Sequence, residues 1–421
     1  MKERTILSID LKSFFASCEC MNRGLDPFKT PLVVADTLRG QGAMTLAVSP
    51  YLRNKGIPSR GRVFELPKNI KIMFVRPRMR LYEEYSNKVR NIFKSFFSEE
   101  DIHFYSIDEA FMDATDYLKY YKMTDVELAS TIMKKIKDET GLTSTCGIGP
   151  NIFLSKVAMD IEAKHNKSFI AKWTYKDIEN KLWEISPLSE MWGFGRKTQI
   201  KLNNLGIYKV KDINKYKKEF YIKRFGNVMG NDIWCKANGI DYTTIKDLNA
   251  DSKEKSMSQS HILYRDYNTD EALLAIKEIN DMLSSRLRKE NKTTRLIYLG
   301  VRYSRVFNKG FHETILLNNE EDIPENIFSV LKYIYEKNIE NLPVRKISIA
   351  YSKLNDKKNK QLSLFDKNEI KTDEYHKIID EINSKYGSTS ILRASSLLRS
   401  STVKNRKHFK EIIWIYSWLY P

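Results

Sequence analysis

The first apolar run along the chain, in TILSI, predicts a β-strand over Thr5 to Ile9, and the FFASCEC that follows predicts a helix whose first turn comes after Asp10. An acidic residue at a strand end is well placed to point into a cleft. PLVVAD reads as a second, buried strand, and TLAVSPYLRNKGIP as a strand or turn leading into a short helix that stops at Lys55-Gly56 and Pro58. DIHFYSIDEAFMDAT combines alternation with turn residues. It predicts a β-hairpin with Phe104, Ser106 and Asp108 on one face and Tyr105, Ile107 and Glu109 on the other. A helix over Val126 to Glu139, a strand in TSTCGIG and a helix over Asn151 to Glu162 come next. Strands, hairpins and helices mixed in this way predict an α+β fold.

From residue 187 to 240 the pattern changes to short helices punctuated by Gly193, Gly195, Gly206, Gly226 and Gly239, with no competing strand. The polar stretch Asp241 to Ser258 reads as a linker. Beyond it the mixed pattern returns, with a helix around Asp270 to Glu290 and strands in RLIYLGVRYSR and VRKISIAYSKL, which predicts a second α+β domain. The remainder runs through polar LNDKKNK to QLSLFD and then to helices whose docking the pattern does not define.

Composition narrows the class. A chain of 421 residues has room for roughly two to four domains, which excludes a peptide hormone or a scaffold held by disulfides alone. With 42% hydrophobic, 12% aromatic and 29% charged residues, it is neither a disordered chain nor a repeat array. The net charge is +18 and the pI about 9.4, which points to a polyanionic partner. Half of that excess falls in residues 163–240, where 16 Lys and Arg face 7 Asp and Glu. One basic module beside near-neutral neighbours is the pattern expected where a phosphate backbone is gripped. Cys18, Cys20, Cys146 and Cys235 lack CxxC spacing, so reduced thiols are expected rather than a disulfide framework or a zinc site. The opening MKERTILSID is too soon interrupted by acid for an export signal, and the run near Ile412 to Leu419 falls short of the ~20 residues a membrane span needs. A soluble cytoplasmic protein without a membrane partner is expected.

Asp10 at a strand end and the adjacent pair Asp108-Glu109 in a hairpin are acidic residues that a mixed sheet can bring together. Three converging carboxylates repel one another unless cations intervene, and hard oxygen ligands of this kind suit Mg²⁺, with substrate phosphates completing its octahedron. Two such ions ~4 Å apart activate a 3′-hydroxyl and stabilise a pyrophosphate leaving group. Taken singly, each acid also has a structural reading, as a helix cap or a solvated turn residue.

IDLKSFFASCE and YSIDEAFMD, followed by CGIGPNIFLSKVAMDIEAKHNK, resemble the Y-family of translesion DNA polymerases, in the branch of bacterial DNA polymerases IV and V and the Gram-positive ultraviolet-repair relatives. The resemblance covers almost the whole chain. It implies a right-hand polymerase: palm from 1–18 and 78–170, fingers 19–77, helical thumb with a helix-hairpin-helix 171–240, linker 241–254, little finger 255–356 and a C-terminal tail 357–421. It implies that Asp10, Asp108 and Glu109 are the catalytic acids and, with the carbonyl of Leu11, hold two Mg²⁺. Phe15, with Phe14 beside it, matches the steric gate, a ring that leaves no space for a 2′-hydroxyl. Arg53 and Lys164 match the basic residues that meet the triphosphate of a dNTP. The Tyr that the family often places three residues before that Arg is Pro50 here, with Ser49 and Tyr51 beside it.

Trp192-Gly193-Phe194-Gly195 with Arg196-Lys197 resembles the hairpin of a helix-hairpin-helix, in which glycines and a helix N-terminus meet a DNA phosphate without reading sequence. In the little finger, Arg295, Arg302, Arg305 and the pair Arg345-Lys346 are expected to line one DNA-facing side. Gln361, Leu362, Leu364 and Phe365, in QLSLF, resemble the peptide by which bacterial polymerases dock on the sliding clamp. SKYGSTSILRASSLLRSSTVKNR resembles the C-terminal extension of the polymerase V-like branch. The reading implied is a monomeric, low-fidelity, template-directed polymerase of damage tolerance and SOS mutagenesis. Its partners are primer-template DNA, dNTPs and the clamp, with an accessory SOS protein or a recombinase filament as further candidates. The alternatives are a helix-hairpin-helix DNA lyase or glycosylase and a non-catalytic factor that binds damaged DNA or the clamp.

Overall fold

The computed structural model describes residues 4–250, 256–357, 368–387 and 389–403. The QLSLF motif, with Gln361, Leu362, Leu364 and Phe365, lies outside the described residues. The chain divides into two compact units, Met1–Ala250 and Asp251–Pro421.

The first unit begins with β1 (Ile6–Leu11), a tight turn with Ser13 in the left-handed region (φ 51°), and α1 (Phe14–Met21). A small sheet follows, made of β2 (Leu32–Ala35), β3 (Met44–Val48), β4 (Gly61–Arg62) and β5 (Met73–Val75), in the order β4-β3-β2-β5. Between β3 and β4 lies α2 (Pro50–Asn54), opened by Pro50 at its first position, where the missing N–H costs nothing.

The chain then returns through α3 (Met79–Lys94) to β6 (Ile102–His103), β7 (Glu109–Asp113), α4 (Tyr117–Tyr121), α5 (Asp125–Thr140), β8 (Ser144–Gly149), α6 (Ile152–Ala158) and β9 (Ile170–Lys172). These strands build the central sheet, β6-β7-β1-β8-β9. β1 sits in its middle, antiparallel to β7 and β8. Ile6, Leu7 and Ile9 are accordingly buried, as an inner strand flanked on both sides requires. α6 comes exceptionally close to β8, because a Cβ at Gly147 would lie 2.0 Å from the carbonyl oxygen of Ser155. Only glycine permits that approach, and it carries Lys156 toward the end of β1.

Residues 173–240 hold the helices α7 (Arg196–Asn203), α8 (Lys218–Phe225) and α9 (Asn227–Ala237), around a core that includes Phe194, Leu202, Val210, Tyr221 and Ile233. The stretch expected to be linker departs from that expectation. Residues 245–249 form α10 (Ile245–Asn249), started by a capping box at Thr244. Ile245 is buried with Ile6, Phe111 and Ile152, and Asn249 Nδ2 donates to the carbonyl of Ile102 at 2.9 Å. Polar composition concealed two apolar contacts, buried Ile245 and partly buried Leu248.

The second unit runs β10 (Met257–Tyr267), α11 (Thr269–Lys289), β11 (Lys292–Tyr303), β12 (Gly310–Glu321), α12 (Pro324–Asn338), β13 (Val344–Ser352), β14 (Asn355–Asp356) and α13 (Asn368–Tyr386). Its sheet has the order β10-β13-β11-β12, and Ile276, Ile279, Leu331 and Ile334 of α11 and α12 join Ile297, Leu299, Ile347 and Ile349 of the strands in one core. α13 and the segment after it dock on α11 and α12. Arg393 pairs with Asp281 and Glu325, Arg288 with Asp380, and buried Glu278 accepts from Ser401 and Thr402. Among the described residues no helix is long and apolar enough to cross a membrane.

Candidate active site

Backbone register assembles the acids. Asp10 on β1 stands directly opposite Glu109 on β7 and opposite Thr145 on β8, and the N–H of Leu11 donates to the carbonyl of Asp108 at 3.0 Å. The predicted alternation through residues 104–109 does not occur, since β6 ends at His103 and β7 starts at Glu109. Residues 106–108 form a bend instead, stabilised by Ser106, whose hydroxyl donates to Asp108 Oδ1 at 2.7 Å and accepts from the Asp108 N–H at 3.3 Å. Side chain to backbone bonding of this kind competes with the strand ladder. The bend sets Asp108 and Glu109 beside Asp10 rather than on opposite faces of a ribbon.

Two lysines meet the acids. After α6 the helix continues as a π turn over Met159–Ala163, with the Lys164 N–H bonded to the Met159 carbonyl at 3.1 Å. Lys156, Asp160 and Lys164 recur at intervals of four along it. Lys164 Nζ lies 2.6 Å from Asp10 Oδ2 and 2.8 Å from Asp160 Oδ1, while Lys156 Nζ lies 2.7 Å from Glu109 Oε1 and 3.1 Å from Asp160 Oδ2. Burial, and then the charge of Asp10, push Asp108 up to about 6 against the Ser106 hydrogen bond. Burial also pushes Glu109 up to about 7, with Lys156 opposing and Asp10 reinforcing the shift. Lys164 is raised as well: burial disfavours its charge, but Asp10 and Asp160 together outweigh that burial.

Among the described residues, no three carboxylate, imidazole or thiol side chains are arranged to hold a metal ion. Asp10 is turned to Lys164 and Glu109 to Lys156. The donor set nevertheless suits a hard divalent cation: Asp10 and Glu109 face each other across paired strands with Asp108 adjacent, and the Glu109 carboxylate is already balanced by a cation, the Lys156 ammonium.

Around this cluster, Phe14 is buried (3% exposed), whereas Phe15 is partly exposed and stacks on Tyr82 with ring centroids 4.4 Å apart. Arg53 on α2 is exposed and donates to the Ile57 carbonyl at 3.3 Å. Ser49 is fully buried and its hydroxyl donates to Thr30 O at 2.6 Å, so it is occupied structurally; the Tyr51 ring lies under Lys55 Nζ at 4.9 Å. Three residues of the cluster escaped the sequence reading. Lys156 and Asp160 were signalled by their four-residue spacing with Lys164. Lys12 had no signal at all. Its Nζ donates to the Lys164 carbonyl at 3.3 Å and lies 4.6 Å from the Phe169 ring centroid. Burial, then Lys164 and Arg53, lower its proton affinity, which places both of these cations within electrostatic range of Lys12.

Away from the acids, Gly193 (φ 89°), Gly195, Arg196 and Lys197 are exposed at the N-terminus of α7, while Phe194 between them is core. Any side chain at Gly193 would be strained and would also meet Lys236 Nζ at 2.5 Å. In the second unit, Tyr303 pairs with Val344 and Arg302 with Lys346, so Arg345 is the extra residue of a β-bulge. The bulge explains how successive residues Arg345 and Lys346 both remain partly exposed between buried Val344 and Ile347. Arg302 is exposed opposite Lys346, whereas Arg295 Nη2 donates to the carbonyls of Leu317 and Asn318.

Comparison with known proteins adds independent observations. Residues 9–160 match the impB/mucB/samB family, residues 175–207 the IMS family HHH motif and residues 254–364 the C-terminal domain of the impB/mucB/samB family. The chain is 37% identical over 408 residues to UvrX of Bacillus subtilis, a protein named for UV-damage repair, with 96% of each chain covered. It is 30% identical to DNA polymerase IV of Clostridium kluyveri over 414 residues, covering 94% of this chain and 99% of that one. It is 28% identical to DNA polymerase IV 2 of Bacillus subtilis over 403 residues, covering 94% and 95%. In fold it is similar to a solved Y-family DNA polymerase chimera, Dbh-Dpo4-Dbh, with a TM-score of 0.67 at 19% identity, over 84% of this chain and 99% of that chain.

Proposed function

The chain belongs to the impB/mucB/samB family, the Y-family DNA polymerases, and from that premise we propose how its own residues carry out template-directed translesion synthesis. The enzyme is a DNA polymerase of the right-hand fold, acting on DNA and dNTPs in damage repair and tolerance. The observation that carries the assignment of the site is the convergence of Asp10, Asp108 and Glu109 at one end of the central sheet.

Asp10, Asp108, Glu109 and the Leu11 carbonyl would hold Mg²⁺, which supplies charge neutralisation at the primer 3′-hydroxyl and at the pyrophosphate leaving group. Lys164 and Arg53 place positive charge where the triphosphate lies. Phe15 packs against the deoxyribose and excludes a 2′-hydroxyl. The fingers are built from strands of two to five residues and short helical turns, a surface too small to enclose the nascent pair; tolerance of damaged templates and low fidelity follow together. Gly193, Gly195, Arg196 and Lys197 in the thumb, and Arg345 and Lys346 in the little finger, contact phosphates without reading sequence. Primer extension across an abasic site, with Mg²⁺ supplied and then chelated, tests the reading: synthesis that survives chelation contradicts it.

The QLSLF peptide is the clamp-docking element of this reading, its apolar Leu362, Leu364 and Phe365 following a Lys-rich polar stretch. Alanine at Leu364 and Phe365 leaves distributive synthesis intact and removes stimulation by a loaded clamp. Equal stimulation of variant and parent contradicts the docking role.

A further inference from the structure

Phe15 can exclude a hydroxyl only if it cannot recede by a fraction of an ångström, and the structure shows what stands behind it. Its ring lies on Tyr82 at 4.4 Å and 18° from parallel. Tyr82 is fully buried, and its hydroxyl donates to Glu19 Oε1 at 2.8 Å. Glu19, itself fully buried, is gripped by Arg78, whose Nε donates to Oε1 at 3.1 Å and whose Nη2 donates to Oε2 at 2.6 Å, and by Arg23. Arg78 Nη2 reaches Asn22 Oδ1 as well, at 2.8 Å. Burial alone would raise the Glu19 carboxyl, but the hydrogen bonds from Arg78, Tyr82 and Arg23 hold it below the usual carboxylate range. One turn beyond Tyr82, Ser86 Oγ donates to the Ile107 carbonyl at 2.6 Å, so α3 also holds the bend that presents Asp108.

None of this is needed for burial alone. An apolar side chain at either position would fill the same space without a buried anion that must be balanced by two guanidinium groups. We infer that Glu19, acting through the Tyr82 hydroxyl, is a positioning residue that fixes the plane of Phe15 and thereby sets the discrimination between deoxyribose and ribose. The inference rests on the reading of Phe15 as the sugar-excluding ring and adds the residues that determine how firmly it excludes.

The experiment measures kcat/KM for one dNTP and its matching rNTP on the same primer-template, for the parent, Phe15→Ala, Tyr82→Phe, Glu19→Gln and the Tyr82→Phe/Glu19→Gln double variant. Tyr82→Phe keeps the stacked ring and removes only the hydroxyl, so it remains informative even if Glu19→Gln fails to fold. Phe15→Ala collapses the preference for dNTP. Tyr82→Phe and Glu19→Gln each reduce it about tenfold, mainly through a lower KM for rNTP, the scale expected when one small group is admitted or refused. The double variant goes no further than the larger single effect, because both changes cut the same connection. A preference unchanged in Tyr82→Phe, with Phe15→Ala collapsed, overturns the inference and leaves the sugar-excluding ring intact. Independent, additive effects overturn the claim that Glu19 acts through Tyr82. An unchanged preference in Phe15→Ala removes the assignment of Phe15, and the inference with it.

Discussion

Lys12 is the residue that most changes the picture of the site. It lies between Leu11 and Phe15 in sequence, beside Lys164 and within the electrostatic influence of Arg53. Burial and two neighbouring cations disfavour the charge of Lys12, a cost that an incoming polyanion relieves. Lys12→Ala therefore raises the KM for dNTP about tenfold, the effect of losing one charge-assisted contact worth ~1.5 kcal/mol, with a smaller change in kcat. Steady-state kinetics of single-nucleotide insertion check it, and a KM equal to the parent's contradicts it. The comparison also shows why single residues differ in legibility. Asp10, Asp108 and Glu109 were visible because acids at a strand end and in a turn stand out from the apolar pattern around them. Lys156 and Asp160 were legible only as a spacing, and Lys12, one basic residue among 71, became informative when folding set it beside Lys164.

At the scale of elements, patterning located α5 and α11 and also the short β2 and α2, left the long α3 and α12 undetected, and misread the turn at residue 106 and the start of the linker. α5, expected over Val126 to Glu139, spans Asp125–Thr140, and α11, expected over Asp270 to Glu290, spans Thr269–Lys289, since each has a capping box at its start and a periodic apolar face. The hairpin around residue 105 failed because the Ser106 hydroxyl bonds both the side chain and the backbone N–H of Asp108, and these bonds outcompete alternation over three residues. The linker failed at its front end for the opposite reason: five residues of helix are held by Ile245 on the central sheet, a tertiary contact that polar composition cannot announce. Ile245→Ala should consequently destabilise the first unit by about 2–4 kcal/mol, as expected for deleting a buried aliphatic side chain. Chemical denaturation checks this. A change below ~0.5 kcal/mol, typical of a surface site, would mean that residues 241–250 behave as free linker.

For the whole molecule, the division at Ala250–Asp251 separates a unit that contains Asp10, Asp108 and Glu109 from one whose open sheet carries Arg302, Arg345 and Lys346. The α+β class and the right-hand polymerase were legible because their motifs occur in order along almost the entire chain. The docking of the segment around Arg393 on α11 and α12 was not, since it depends on ion pairs between residues more than 60 positions apart. The central claim is that the acids at the end of β1 and the start of β7 are the polymerase centre. Its most direct test is primer extension on undamaged and abasic templates with Mg²⁺ and dNTPs, comparing the parent with Asp108→Ala after confirming that both fold and bind primer-template DNA equally. The account predicts extension on both templates by the parent and none by Asp108→Ala; extension by the variant at the parent's rate would contradict it.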